Sequence, residues 1–191
     1  MLILSHPLVL GSASPRRQQL LQGMGFTFTT RVLEVDESFP PDLEITQVAE
    51  FLAKKKADAH KKQLKNELLI TADTIVALNG EVLGKPENID HAAQLLRKQS
   101  GKKQTVYTGV CLLTESESYS FSVATDVFFR PLSESEIQYY LANYKPFDKA
   151  GSYGVQEWMG YVGVARIEGS YTNVMGFPTS EVYNALQKFA L

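Results

Sequence analysis

The residues able to do chemistry gather in a few short stretches. The first is Gly11-Ser12-Ala13-Ser14-Pro15-Arg16-Arg17, directly after the apolar run Leu8-Val9-Leu10. Three apolar residues predict a buried strand, and the glycine and serines a tight turn. Pro15 fits the first position of a helix, where its missing N–H would be unpaired anyway. Ser14 stands where a side-chain oxygen caps that helix. Such a turn offers backbone N–H groups at the positive end of a helix dipole, which suits an anion. Arg16 and Arg17 place two cations in a first turn that the dipole makes unfavourable for them, so a bound polyanion would explain their position. The plain alternative is an ordinary strand-to-helix turn with two solvated arginines. The second stretch is Leu68-Leu69-Ile70-Thr71-Ala72-Asp73-Thr74-Ile75-Val76-Ala77, too apolar for an edge strand. Aspartate is a poor strand former and a buried, unpaired carboxylate is costly, so Asp73 must meet a cation, a metal or several donors. The expected position is a bend or an end of a central strand, facing a site. A structural ion pair is the alternative.

Two further stretches complete the set. Lys85, between Gly84 and Pro86, sits on a short stiff loop. The acids of Glu34-Val35-Asp36-Glu37 follow a predicted strand and are either a solvated loop or contacts for a hard cation, which takes carboxylate oxygens. Lys54-Lys55-Lys56 winds round three faces of a helix at ~100° per residue, so at most one or two of these can face a common cleft. Basic groups hold phosphate oxygens, a divalent metal neutralises the charge that builds on them, and a carboxylate orients or deprotonates water. The kit is that for a phosphorylated substrate. There is no catalytic cysteine candidate, no Ser-His pair close in sequence and no GxxxxGK[ST] loop. Attack by water is the simplest chemistry left.

The elements that must position these residues follow from pattern. A short helix runs from Pro15 to a stop at Gly23 or Gly25, and Phe26 to Leu33 reads as a strand. Thr46 to Leu64 is a predicted helix with Val48, Phe51, Leu52 and Ala59 on its apolar stripe. Asn79-Gly80 is a strong hairpin signal after the Asp73 strand. Ile89 to Gln99 is a helix. Thr105 to Thr114 and Tyr119 to Arg130 are two long strands joined by Glu115-Ser116-Glu117-Ser118. Ser133 and Glu136 have capping-box spacing for a helix to about Asn143. After the polar-aromatic loop Lys145 to Gln156, Tyr161 to Ile167 reads as a strand, Gly169 to Asn173 as a turn, and Pro178 to Leu191 as a helix. No repeat, low-complexity segment or linker divides the chain. The expectation is a mixed α/β fold, a mixed twisted sheet in one domain over residues 1–191 with a two-lobed body.

Composition limits the partners. The 191 residues are 44% apolar and 21% charged, with a net charge of −2. That charge argues against broad electrostatic binding to nucleic acid or to an anionic membrane. The lone cysteine, Cys111, lies in an apolar run and reads as a small buried hydrophobe. The three histidines are scattered, no apolar run approaches the ~18 residues of a membrane span, and the N-terminus lacks a signal peptide's pattern. A reducing cytoplasm is the expected setting.

Five blocks together resemble the Maf family of nucleoside triphosphate pyrophosphatases: Leu10-Gly11-Ser12-Ala13-Ser14-Pro15-Arg16-Arg17, Ala72-Asp73-Thr74-Ile75-Val76, Gly84-Lys85-Pro86, Asp148-Lys149-Ala150-Gly151-Ser152-Tyr153-Gly154-Val155-Gln156, and Gly169-Ser170-Tyr171-Thr172-Asn173-Val174-Met175-Gly176-Phe177-Pro178. The resemblance implies a fold related to that of inosine triphosphate pyrophosphatases with a cleft between two lobes, hydrolysis of a nucleoside triphosphate between its α and β phosphates, Mg²⁺ or Mn²⁺ as cofactor, and a homodimer. It implies that Asp73 is the proton acceptor and that Arg16, Thr74 and Gln156 select the substrate. It places Ser14, Arg17, Glu37, Lys56 and Lys85 in the cleft, with Glu37 and Asp73 as candidate metal contacts. The Arg16-Arg17 pair, Asp73-Thr74 and Tyr153-Gly154-Val155-Gln156 are similar to the branch acting on dTTP and UTP rather than the one acting on 7-methyl-GTP. Glu157-Trp158-Met159-Gly160 departs from the pattern, glycine being commoner after the glutamine. A bulky Trp158 there either reshapes the wall near the base or packs into a core or dimer contact. The competing classes are a nucleotide-binding regulator without turnover and an enzyme for ITP, XTP or 7-methyl-GTP.

Overall fold

In the computed structural model, which describes residues 2–191, the most apolar runs of the sequence become the inner strands of one mixed sheet. In chain order the elements are β1 (Leu8–Leu10), α1 (Pro15–Gly23), β2 (Phe28–Thr30), α2 (Ile45–His60), β3 (Leu68–Leu78), β4 (Glu81–Leu83), α3 (Ile89–Gln99), β5 (Lys103–Leu113), β6 (Ser118–Phe129), α4 (Glu134–Tyr144), α5 (Trp158–Gly163), β7 (Val164–Glu168), α6 (Tyr171–Val174) and α7 (Thr179–Leu186). The strand order is β2-β1-β3-β5-β6-β7, with β4 paired to β3. β1 runs parallel to β2 and to β3, while β3–β4 and β6–β7 are antiparallel. Among the described residues no helix is long and apolar enough to cross a membrane.

The chain divides into two units, and β3, β5 and β6 contribute residues to both. The first comprises Met1–Asp73, Thr108–Val123 and Gly176–Leu191. Its inner parallel strands, β1 and the start of β3, are apolar on both faces, as parallel strands covered on two sides require. Leu8 and Leu10 of β1, with Leu68 and Ile70 of β3, pack with Leu21 and Phe177. Val9 and Leu69 point the other way, into a cluster with Ala53 and Ala57 of α2. Side chains alternate along a strand, so Thr71 and Asp73 share the face of Leu69, the face that α2 covers. The Thr71 hydroxyl donates to the Ala53 carbonyl at 2.7 Å and ties strand to helix there. Gly11 N–H donates to Ile70 O at 2.7 Å, and a Cβ on Gly11 would lie 2.8 Å from Thr71 Cγ2. The turn after β1 therefore begins edge-on against β3, still in register with it.

The second unit comprises Thr74–Tyr107 and Ala124–Met175. Its core includes Val76, Leu96, Val127, Tyr140 and Met159. Asn79 and Gly80 both have positive φ, 52° and 82°, which is the hairpin geometry their types favour. Ser133 and Glu136 form the full capping box at the start of α4.

Several expected boundaries move. The strand expected at Phe26–Leu33 shrinks to Phe28–Thr30, because its partner β1 supplies only three positions to pair with. The helix expected to reach Leu64 ends at His60 and tightens into a 3-10 turn at Lys61–Gln63. The final helix ends at Leu186, followed by a 3-10 turn at Gln187–Phe189. Tyr161 to Gly163 belong to α5 rather than to a strand, and β7 begins only at Val164. The cause is glycine spacing: a Cβ on Gly160 would sit 1.8 Å from Val155 O, and one on Gly163 2.7 Å from Met159 Sδ. Two glycines let a short helix fold tightly against the preceding loop, which the apolar alternation of Tyr161 to Ile167 conceals.

Candidate active site

In the first unit, Asp73 and the middle of α2 meet by strand and helix period together. Along α2, residues four apart lie on one face, so Lys56 shares a row with Leu52 and His60, both buried. Lys56 Nζ lies 2.5 Å from Asp73 Oδ1 and 2.7 Å from Glu37 Oε1. Its neighbours go elsewhere: Lys55 Nζ pairs with Asp36 at 2.9 Å and donates to Ser38 O at 2.9 Å, and Lys54 is exposed. Asp73 is only 8% exposed, so an opposite charge at contact offsets the cost of burying it. Asp73 is not at a bend or an end of its strand, as expected from composition, but inside β3, which continues to Leu78. The strand need not break, because the compensating cation comes from α2.

The turn after β1 supplies the other cations. The Ser14 side chain caps α1, accepting from Arg17 N–H at 3.5 Å. Arg17 Nε–H donates to Gly176 O at 2.9 Å and Nη1–H to Ser12 Oγ at 3.2 Å, while Ser14 N–H donates to the same Ser12 oxygen at 3.2 Å. Burial pushes the Arg17 pKa down; Asp73 opposes that shift, Arg16 adds to it, and Glu37 opposes it. Arg17 thus feels the charges of Asp73, Arg16 and Glu37, and Lys56 contacts both carboxylates through its two ion pairs. Three cations against two carboxylates make a locally positive site in a chain of net charge −2, which suits a polyphosphate.

Among the described residues no group of three or more His, Cys, Asp or Glu side chains gathers as a metal cage. The Glu37 and Asp73 carboxylates do converge, since each lies within 2.7 Å of the same ammonium. Lys56 fills the point where they converge, so a small divalent cation, which keeps its waters and takes its remaining ligands from substrate phosphates, would have to use the carboxylate oxygens that Lys56 leaves.

The other expected residues lie in the second unit. Thr74 is half-buried on β3, and the pleat places it on the opposite face from Asp73. Lys85 is exposed just beyond β4. Gly84 O accepts from Gly151 N–H at 3.1 Å, which joins the Lys85 loop to the block that carries Gln156. Gln156 is half-buried, and its carbonyl accepts from the Tyr161 hydroxyl at 2.7 Å. Trp158 packs against the core of this unit, with its ring 4.8 Å from that of Tyr139. The structure therefore brings together Ser14, Arg16, Arg17, Glu37, Lys56 and Asp73 in one unit, and Lys85 and Gln156 through their loops in the other. Sequence reasoning missed Ser12 and the Gly176 carbonyl, the two groups that orient Arg17. Ser12 is 8% exposed, and its place next to a glycine pressed onto β3 was the available sign. The Gly176 carbonyl left no sign, since any residue type carries one.

The description "Maf-like protein" fits a family model over residues 7–189 of the chain. A protein of Bacteroides thetaiotaomicron named "dTTP/UTP pyrophosphatase" is 50% identical over 185 residues, covering 96% of each chain. One of Flavobacterium johnsoniae with the same name is 44% identical over 182 residues, 95% of this chain and 94% of its own. Among solved structures, the Staphylococcus aureus Ham1 protein aligns with a TM-score of 0.44 at 16% identity, over 64% of this chain and 71% of its own.

Proposed function

The chain belongs to the Maf family, and from that premise we propose that it is a nucleoside triphosphate pyrophosphatase that hydrolyses dTTP and UTP to the monophosphate and pyrophosphate. The observation that carries the reading is a buried strand carboxylate, Asp73, held by Lys56 and near enough to the buried Arg17 to act on its charge. Residues 1–191 act as one domain, in the cytoplasm.

In this reading Arg16, Arg17, Lys56 and Lys85 hold the oxygens of the triphosphate. Arg17 is the most constrained of them, because Ser12 and Gly176 fix its guanidinium. Lys56 fixes Asp73 through Oδ1, and the second oxygen of that carboxylate takes a proton from a water molecule. The water oxygen forms a bond to the α-phosphorus as the bond from that phosphorus to the α–β bridging oxygen breaks, and pyrophosphate leaves with the bonding pair. A divalent cation, Mg²⁺ or Mn²⁺, would be held by Glu37 and Asp73 and supplies neutralising charge to the phosphate oxygens when bound. Gln156 offers an amide donor and an acceptor to the O4/N3 edge of uracil or thymine. Thr74, on the opposite face of β3 from Asp73, belongs to substrate selection rather than to the water.

The test is pyrophosphate release from dTTP, UTP, CTP, 7-methyl-GTP, ITP and ATP with each metal. Turnover of dTTP and UTP above the others is the expected result. Preference for a purine would overturn the roles of Arg16, Thr74 and Gln156, and binding without turnover would overturn the enzyme.

A further inference from the structure

The residue after Gln156 is an acid, Glu157, held in an unusual way. Its backbone N–H donates to Gly154 O at 3.1 Å and closes a turn from Gly154 to Glu157. Its side chain folds back over the same turn: a Cβ on Gly154 would lie 2.8 Å from Glu157 Cδ and 3.0 Å from Oε2. Tyr140, fully buried on α4, donates its hydroxyl hydrogen to Glu157 Oε2 and accepts from Gly154 N–H at 3.1 Å. Lys149 Nζ lies 3.0 Å from Glu157 Oε1 and 2.7 Å from Asp148, with a side chain only 10% exposed. The carbonyl of Glu157 accepts from Gly160 N–H at 2.9 Å, and Tyr161 holds the carbonyl of Gln156.

These contacts fix the backbone of the Gln156 turn and leave its side chain as the part that acts. We propose that Glu157 is a positioning residue: with Tyr140 and Lys149 it clamps the turn that presents Gln156, and so sets the discrimination among nucleobases. The proposal rests on the reading of Gln156 as the base-selecting group. A half-buried carboxylate paired with a buried lysine contributes little net stability, so its value here is geometric. Small displacements of a positioning group cost large factors in selectivity.

Three variants and one control test it, each assayed for kcat and KM with dTTP and CTP and for melting temperature. Glu157→Ala is expected to raise KM for dTTP roughly tenfold with kcat changed less than about threefold, and to lower the dTTP/CTP ratio of kcat/KM by about the same tenfold. Glu157→Gln keeps the acceptor for Tyr140 and is expected to restore most of that ratio. Tyr140→Phe keeps the packed ring, loses both hydroxyl contacts, and is expected to behave like Glu157→Ala. An unchanged ratio in Glu157→Ala, or an equal loss of kcat with both substrates, overturns the clamp. Gln156→Ala separates the two readings. If it leaves the ratio unchanged, the base-reading role itself falls. If it abolishes the ratio while Glu157→Ala and Tyr140→Phe do not, only the clamp falls.

Discussion

At the residue scale the chemistry depends on how Asp73 is held and aimed. Removing one partner of a buried ion pair costs about 3–5 kcal/mol, and here Lys56 is that partner at 2.5 Å. Asp73→Asn keeps the shape and removes the proton acceptor. Its kcat for dTTP is expected to fall about 10²–10⁴-fold, with binding of a non-hydrolysable dTTP analogue changed far less; turnover within a few-fold of the parent would remove Asp73 from the role. That Asp73 needs a partner is legible in the sequence, since apolar residues flank it on both sides. The partner is not legible from the residues alone. Lys54, Lys55 and Lys56 are chemically alike, and only the buried row of Leu52 and His60 shows which one points inward. Arg17 was legible as a candidate phosphate contact but its support was not, because one half of it is a main-chain carbonyl at Gly176.

At the scale of elements, the site depends on α2 lying close against the sheet. Gly109 on β5 makes that approach possible: a Cβ there would sit 2.2 Å from the carbonyl carbon and oxygen of Ala49 and 2.3 Å from Glu50 N. These are helix backbone atoms that cannot swing aside. Gly109→Ala is expected to destabilise by about 1–3 kcal/mol or more, as overpacking does, and to lower activity as well because α2 carries Lys56. Urea unfolding and steady-state kinetics on the same sample check both, and an unchanged midpoint would show that α2 yields without cost. Elements with strong local signals, the Asn79-Gly80 hairpin and the Ser133 capping box, were readable because each depends on neighbours in sequence. The Tyr161–Gly163 segment reads as strand in the sequence but folds as helix, because what decides it is a close approach between Gly160 and Val155 O.

At the scale of the whole molecule, the mixed α/β class was legible from alternating apolar runs. Where the chain divides into its two units was not, because β3, β5 and β6 contribute to both and no linker marks a boundary. Three carboxylates, Asp36 and Glu134 exposed and Glu136 half-buried, bear on acid stability. Arg97 holds Glu134 and Arg130 holds Glu136 from an ordinary 4.5 down to about 2. Ser38, then Lys55, hold Asp36 from 3.8 down to about 2. Each folded pKa lies below its unfolded value, so the stabilisation is full above about pH 4.5 and is lost as pH falls through about 2. Melting temperatures are therefore expected to decline across that window, with a shallower slope in high salt because exposed pairs are screened. A flat profile at low salt would show that these pairs contribute nothing to folding. The central claim is that water attacks the α-phosphorus, and hydrolysis of dTTP in ¹⁸O-labelled water with mass analysis of the products tests it most directly. The account expects the label in dTMP and unlabelled pyrophosphate; label in pyrophosphate, or dTDP with labelled orthophosphate, would contradict it.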